Sequence, residues 1–244
     1  MPRSRATARV DLRRSPQSLR SVKLSSAKSS PARSATTRRP ARRTQASRTK
    51  AAREKLLRAT LELLQERGYS GLTTKEVAAR AGFSNGALMH HFSTKADLVI
   101  AAGAHVYEQH IDSGRKIAAS ALARKDPLEA FINDCVDVYL GAAFIPTTEM
   151  MVAARTDPLM NAPFHAFMKH YRKTMNEIWL NAFTRAGYSK QDASFLIMST
   201  LNVVRGMAIN SVWQRDLAYY KSFLREWMRL ARTGGLKSAR IDVR

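Results

Sequence analysis

An all-α chain in two parts, a three-helix head and a larger helical body, is what the sequence predicts, and three observations predict it. Apolar residues recur three and four positions apart from Leu56 to Leu230, with charges between them, and no stretch alternates at the two-residue period of a strand for long. Helix-start residues, Ser, Thr or Asp, alternate along the chain with glycine stops. No internal repeat divides it. The expectation is about nine helices.

In chain order, Leu56, Thr60, Leu63 and Leu64 set the apolar stripe of a first helix that stops at Gly68. Thr73 and Glu76 have the spacing of a capping box, and Leu72 and Val77 that of a hydrophobic staple. The helix they open carries Val77, Ala78 and Ala81 and ends at Gly82, where a left-handed cap residue is wanted. Phe83 plugs the turn, Ser84 caps again, and residues 85 to 91 make a short third helix with Leu88 inward and Phe92 closing it. Two short helices joined through a glycine turn over residues 73 to 92 form a helix-turn-helix, the shape that presents one helix to DNA. Ser93-Thr94-Lys95-Ala96-Asp97 then opens a long helix.

Further on, Asp126-Pro127-Leu128-Glu129 is a start signal for a helix bearing Phe131, Ile132, Cys135, Val138 and Tyr139, which Gly141 and Pro146 are expected to end. A short helix with Met150, Met151 and Ala154 follows. Asp157-Pro158 starts a long one carrying Phe164, Phe167, Met168, Tyr171, Met175, Ile178, Trp179 and Phe183 up to Gly187. The helix from 189 to 213 is apolar on nearly every side, and Asp216 caps a last helix with Tyr219, Tyr220, Phe223, Trp227 and Leu230 before Gly234-Gly235.

Charge is concentrated at the start of the chain. Residues 1 to 50 hold fifteen Lys and Arg against one acid, Asp11, so fourteen of the net +22 belong there. That segment is too poor in large apolar residues to offset its ordering entropy and is expected to be disordered. Next to a helix-turn-helix such an arm neutralises phosphates; an organelle transit peptide and a start assigned too far upstream are the competing readings. No apolar core follows the charges as in a signal peptide, and no apolar run approaches the about eighteen residues of a membrane span, so no membrane partner is expected and the location expected is cytoplasmic. The single cysteine, Cys135, excludes a disulfide within the chain and suits a reducing compartment.

Arg53-Glu54-Lys55-Leu56-Leu57, Glu66-Arg67-Gly68-Tyr69, Thr73-Thr74, Val77-Ala78, Ala81-Gly82-Phe83-Ser84, Gly86, Leu88, His91-Phe92 and Lys95-Ala96-Asp97-Leu98 together resemble the N-terminal DNA-binding domain of the TetR family of bacterial regulators, over about residues 48 to 110. The resemblance implies a regulator of transcription, most often a repressor released by a small molecule, that binds palindromic double-stranded DNA as a homodimer. It divides the chain into a basic arm (1–47), the DNA-binding domain (48–110), an effector-binding and dimerisation domain (111–233) and a basic tail (234–244). Thr73, Lys75, Ser84 and Lys95 then fall where contacts to phosphate are expected. Asn85, Gly86, Ala87, Met89 and His90 belong to the helix that meets the groove. The common family pattern has a basic residue at Asn85, Thr or Ser at Ala87 and an aromatic hydroxyl at Met89, so this chain departs from it at three positions. Asn85 can bond bidentately to adenine, while Ala87 and Met89 offer apolar contact, which points to A·T positions in the half-site.

The family's effector pocket lies among the middle helices, with Tyr139, Phe144, Met150, Met151, Phe167, Tyr171, Met175 and Trp179 as candidate lining. Arg155, Glu149 and Arg205 are the groups to expect for a polar ligand. The last two long helices of family members pack with their twins as a four-helix bundle, which places Leu201, Val204, Gly206, Met207, Tyr219, Phe223 and Trp227 at a dimer interface. A second apolar stripe on the helix at 189–213 needs such a second partner, although a simply buried helix would show one too.

Catalysis is not expected. No histidine pair stands at i, i+4 with an adjacent Glu, and no GxSxG, phosphate-cradling glycine loop or CxxC occurs. No cofactor or metal is expected, only an effector. An activator of the same fold and a ligand-free, nucleoid-type DNA-binding protein are the alternatives. Deleting residues 1 to 45 is expected to weaken non-specific DNA binding and flatten its dependence on salt, by about 0.9 in log–log slope for each phosphate the arm no longer neutralises. Fluorescence anisotropy over a salt series checks this, and an unchanged slope would assign the grip to the helix-turn-helix alone.

Overall fold

In a computed structural model the described residues, 45–214 and 216–233, form ten helices: α1 (Gln45–Gly71), α2 (Thr74–Ala81), α3 (Asn85–Met89), α4 (Lys95–Ala118), α5 (Ala121–Lys125), α6 (Pro127–Tyr139), α7 (Phe144–Ala154), α8 (Pro158–Arg185), α9 (Lys190–Asn210) and α10 (Leu217–Arg232). The basic arm expected at 1–47 lies outside the described residues except for positions 45–47, which begin α1, and so does the tail expected at 234–244. Ten helices replace the expected nine because Ser120 caps α5, its hydroxyl accepting from the Ala123 N–H at 3.1 Å. Five residues are too few to display a period. Pro146, expected as a stop, sits in the first turn of α7, where a missing N–H leaves no helix bond unmade.

The head is held by one apolar core. Leu56, Leu57, Leu63 and Leu64 of α1 meet Val77 and Ala78 of α2, Leu88 of α3, and Ala96, Leu98, Val99 and Ala102 of α4, with Leu72 and Phe92 between. Each fully buried leucine contributes about 1.5–3 kcal/mol. The caps act as their spacing predicts: the Thr73 hydroxyl accepts from the Glu76 N–H, Ser84 from Ala87 and Thr94 from Asp97, whose carboxylate accepts the Thr94 N–H in return. Glu76 also takes the Thr73 hydroxyl proton and pairs with Arg67, and Arg80 pairs with Glu66, tying α2 to α1 on an exposed surface where such pairs add little.

The head core does not end with α4. Met150 and Ala154 of α7 and Met160 and Phe164 of α8 are buried in it. At the end of α1 the chain turns through Gly68, with φ 67° and ψ −178°, a conformation open almost only to glycine. There the Glu149 carboxylate of α7 accepts the Tyr69 N–H at 2.8 Å, and Asp157, the cap of α8, accepts the Tyr69 hydroxyl at 3.3 Å. The body has its own core around Trp179 and Phe183 of α8, Phe131 of α6, Val204 and Ala208 of α9, and Tyr220 and Leu224 of α10. Between the two cores α4 runs along α8, where Tyr107 packs edge-on against Tyr171 and Phe167. Among the described residues no helix is long and apolar enough to cross a membrane.

Two glycines separate backbone strain from collision. Gly82, left-handed at φ 77°, has nothing within 4 Å of an added Cβ, so Gly82→Ala is expected to cost about 1–2 kcal/mol from strain alone. At Gly68 a Cβ meets the Glu149 carboxylate as well, so Gly68→Ala is expected to cost more. Urea midpoints in the order wild type, Gly82→Ala, Gly68→Ala check this; equal midpoints for the two variants would remove the Glu149 contact from the account.

Candidate nucleic-acid interface and inner cavity

Thr73, Lys75, Ser84, Asn85, Gly86, Met89 and His90 are exposed on the head, Ala87 is half-buried, and Leu88 faces the core. Most of the residues expected to touch DNA are therefore open to solvent on α2, α3 and their caps. Ser84 spends one lone pair on the Ala87 N–H and retains its hydroxyl proton for an outside acceptor. Lys95 differs from Lys75. Its ammonium lies 4.4 Å from the centre of the Tyr69 ring, half-buried, and the loss of hydration pulls its pKa down. Tyr69 is also held from the body, its backbone N–H donating to Glu149 and its hydroxyl to Asp157, so one residue joins a head lysine to two body acids. Sequence reasoning missed this junction because its partners are about eighty residues away. It also missed Arg53, whose guanidinium covers the Phe92 ring at 4.4 Å and closes the end of α3 against α1.

A cavity of about 550 Å³ opens between α6, α8 and α9. Of the eight expected lining residues, Tyr139, Tyr171, Met175 and Trp179 line it. The other four do not: Met150 is buried in the head core against Gly103, Met151 is 52% exposed, Phe144 packs edge-on to Tyr139, and Phe167 packs edge-on to Tyr107. Of the three polar candidates Arg205 faces the cavity and Arg155 and Glu149 do not. Asp134 was missed, although its position carries a signal: with Phe131, Cys135 and Val138 it stands on one helical face, an acid in an apolar stripe.

Asp134 is 2% exposed and accepts the Trp179 indole N–H at 3.0 Å. Burial raises its carboxyl to about 6, against the lowering effect of that bond. Arg205 donates to the Tyr139 hydroxyl at 2.9 Å, and its guanidinium lies 5.0 Å from that ring's centre. The Cys135 thiol is buried and raised, first by desolvation and then by Asp134, so it packs as a small apolar group. Groups of His, Cys, Asp and Glu able to hold a metal are absent among the described residues.

The expected dimer residues divide by burial. Val204 and Met207 lie in this chain's own core and are corrected from the interface, because the inward stripe of α9 runs through Ala193, Leu196, Ile197, Val204 and Ala208. Leu201 and Trp227 are half-buried, Trp227 donating to Thr200 at 3.1 Å. Gly206, Tyr219 and Phe223 are exposed, and so are Phe195, Met198, Ile209, Val212 and Trp213, whose outward direction the sequence pattern does not reveal.

The buried carboxyl makes a pH prediction. Its raised pKa means that between about pH 4 and pH 6 the native chain holds a proton the unfolded chain has released, so this group's contribution falls across that window and stays lost above it. Asp134→Asn, which keeps an acceptor for Trp179, is expected to gain on wild type by about 2–3 kcal/mol between pH 4 and pH 7. Urea unfolding of both proteins at the two pH values measures it, and a constant difference would mean an ordinary carboxyl.

The model of the bacterial regulatory proteins of the tetR family matches residues 56–102, from the first core leucine to the end of the second turn of α4. The chain is similar to the helix-turn-helix transcriptional regulator CymR of Pseudomonas putida, with 32% identity over 177 residues, 72% of this chain and 87% of that protein. A TetR transcription regulator from Haloarcula marismortui shares the fold at 19% identity and a TM-score of 0.61, over 75% of this chain and 98% of that one. A transcriptional regulator from Saccharomonospora viridis, solved in complex with choline, shares it at 16% identity and a TM-score of 0.60, over 74% and 96%. With a head that presents α3 on a capped turn, and a relative alike over most of both lengths, the chain belongs to the tetR family of bacterial DNA-binding regulators of transcription.

Proposed function

We propose that the protein is a dimeric repressor whose hold on a palindromic operator is released when a small molecule enters the cavity between α6, α8 and α9. One side chain carries this reading. Met175 lines the cavity, and its thioether also fills the space beside Gly114 of α4, where a Cβ would stand 2.7 Å from the Met175 methyl. A ligand that displaces Met175 pushes on α4. The opposite end of α4 is Lys95. A stiff helix passes such a push to the head, and two heads set at about 34 Å or a multiple of it lose register with their half-sites.

In this reading Ser84, Thr73, Lys75 and Lys95 position the head on phosphates, while Asn85, Ala87, Met89 and His90 face the bases. Lys95 reaches a phosphate from above Tyr69, so α4 and the Tyr69 junction move together. The second chain covers the exposed apolar side of α9 and α10, formed by Phe195, Met198, Ile209 and Val212 with Tyr219 and Phe223. Apolar surface of this extent on neighbouring helices is what a partner subunit buries. That the Saccharomonospora viridis regulator of the same fold was solved in complex with choline supports a small-molecule role here, as against a ligand-free nucleoid-type protein.

A reporter driven from DNA that the protein selects out of its own upstream region tests this. Wild type is expected to lower expression, and Ile209→Lys combined with Phe223→Lys to sediment as a monomer with native helicity and to lose repression, with operator affinity down on the order of 100-fold as only one half-site is held. A rise in expression with wild type would make it an activator, and a double variant that stays dimeric would move the interface elsewhere.

A further inference from the structure

Building on the cavity's proposed role as an effector site, we propose that the effector is an amphipathic carboxylate, its apolar ring or chain seated among Phe131, Tyr171, Met175 and Trp179 and its anionic head on Arg205. Arg205 is half-buried on the wall of the cavity and spends one donor on the neutral Tyr139 hydroxyl. No carboxylate pairs with it among the described residues. A guanidinium presents five N–H donors in a planar fork that matches a carboxylate, and four remain. Its central carbon lies over the Tyr139 ring, which with the hydroxyl bond holds it in place.

The mouth has the same preference. His165, Lys169, Arg172 and Lys173 of α8 line it and are exposed. A basic rim over low-dielectric walls concentrates anions and repels cations. Among the described residues the one acid facing the space is Asp134, buried with a single partner, the Trp179 N–H, and sitting among aromatic walls. Protonated, it is a neutral donor compatible with a bound anion; ionised, it is a like charge in the same cavity. Binding of the acid is therefore expected to strengthen as pH falls from 7.5 toward the carboxyl's value of about 6. The groups around Asp134 are Cys135, Asp137 and Tyr139 along α6, Tyr171 and Trp179 on α8 and Arg205 across the cavity on α9; α4 brings Gly114 beside it, with the half-buried His110, whose pKa burial lowers, one turn away on the same face.

The experiment titrates the full chain, by calorimetry, with naphthalene-2-carboxylate and decanoate, their uncharged amides, and decyltrimethylammonium; the two acids separate an aromatic from an aliphatic source. At least one acid is expected to bind about tenfold or more tighter than its amide, the scale of one charge-assisted contact. Arg205→Met is expected to remove that factor while leaving the amide's affinity alone, and Arg205→Lys to restore part of it. Asp134→Asn is expected to abolish the rise in affinity at low pH, with His165→Gln controlling for the rim imidazole. Amides equal to acids, a preference for the ammonium, or no binding by any probe would overturn the carboxylate. An acid that binds through Arg205 yet leaves DNA affinity unchanged would support the ligand class and sink release as the mechanism, so the two readings fail separately.

Discussion

Helix α4 belongs to both halves of the molecule, and the rest of the arrangement follows from that. Its first turn is sealed by the Thr94–Asp97 capping box, and Ala96, Leu98, Val99 and Ala102 are buried in the head core. Its second half lies on α8 through Tyr107, Ile111 and the gap at Gly114 that Met175 fills. Twenty-four residues of helix span about 36 Å without a joint. Neither end can shift without moving the other, so the direction in which α3 is presented depends on how α8 is packed.

A second tie runs beside the first. Met150, Ala154, Met160 and Phe164 enter the head core from the body, and Glu149 and Asp157 hold Tyr69 at the end of α1. The Glu149 bond satisfies an amide that the turn at Gly68 would otherwise leave open, and it needs a glycine there to admit the carboxylate. The head is thus not a bead on a linker. Its orientation is set by two separate contacts, α4 against α8 and Tyr69 against α7 and the start of α8.

The body tolerates polar groups where a pure scaffold would have apolar ones. Asp134 and Arg205 face one cavity and are each bonded to an aromatic partner, Trp179 and Tyr139, instead of to each other. Both charges lose hydration there, and a leucine or methionine at either position would remove that cost. Each leaves hydrogen-bonding capacity turned toward the cavity. Helix α9 shows the same economy of surface: its inward stripe completes the body core while Phe195, Met198 and Ile209 are left exposed.

How much of this was legible in the chain depended on the range of the interaction. Caps and turns were legible because they are made within three or four residues: Thr73, Ser84, Asp126, Asp157 and Asp216 all start the helices their spacing announces. The head was legible as well, since a single stripe on each short helix has only one core to face. The sequence by itself determined the helices, their order and the side of α2 and α3 turned outward. It did not determine where the apolar residues of the body go. Met150 joins the head core instead of the cavity, Val204 and Met207 turn inward, and Asp134 and Arg205 meet one space from helices about seventy residues apart. A helix that is apolar nearly all round carries no direction in its sequence, because periodicity records that a face is buried and not what buries it. Only the tertiary packing of α6, α8 and α9 decided that, and with it the shape and chemistry of the cavity.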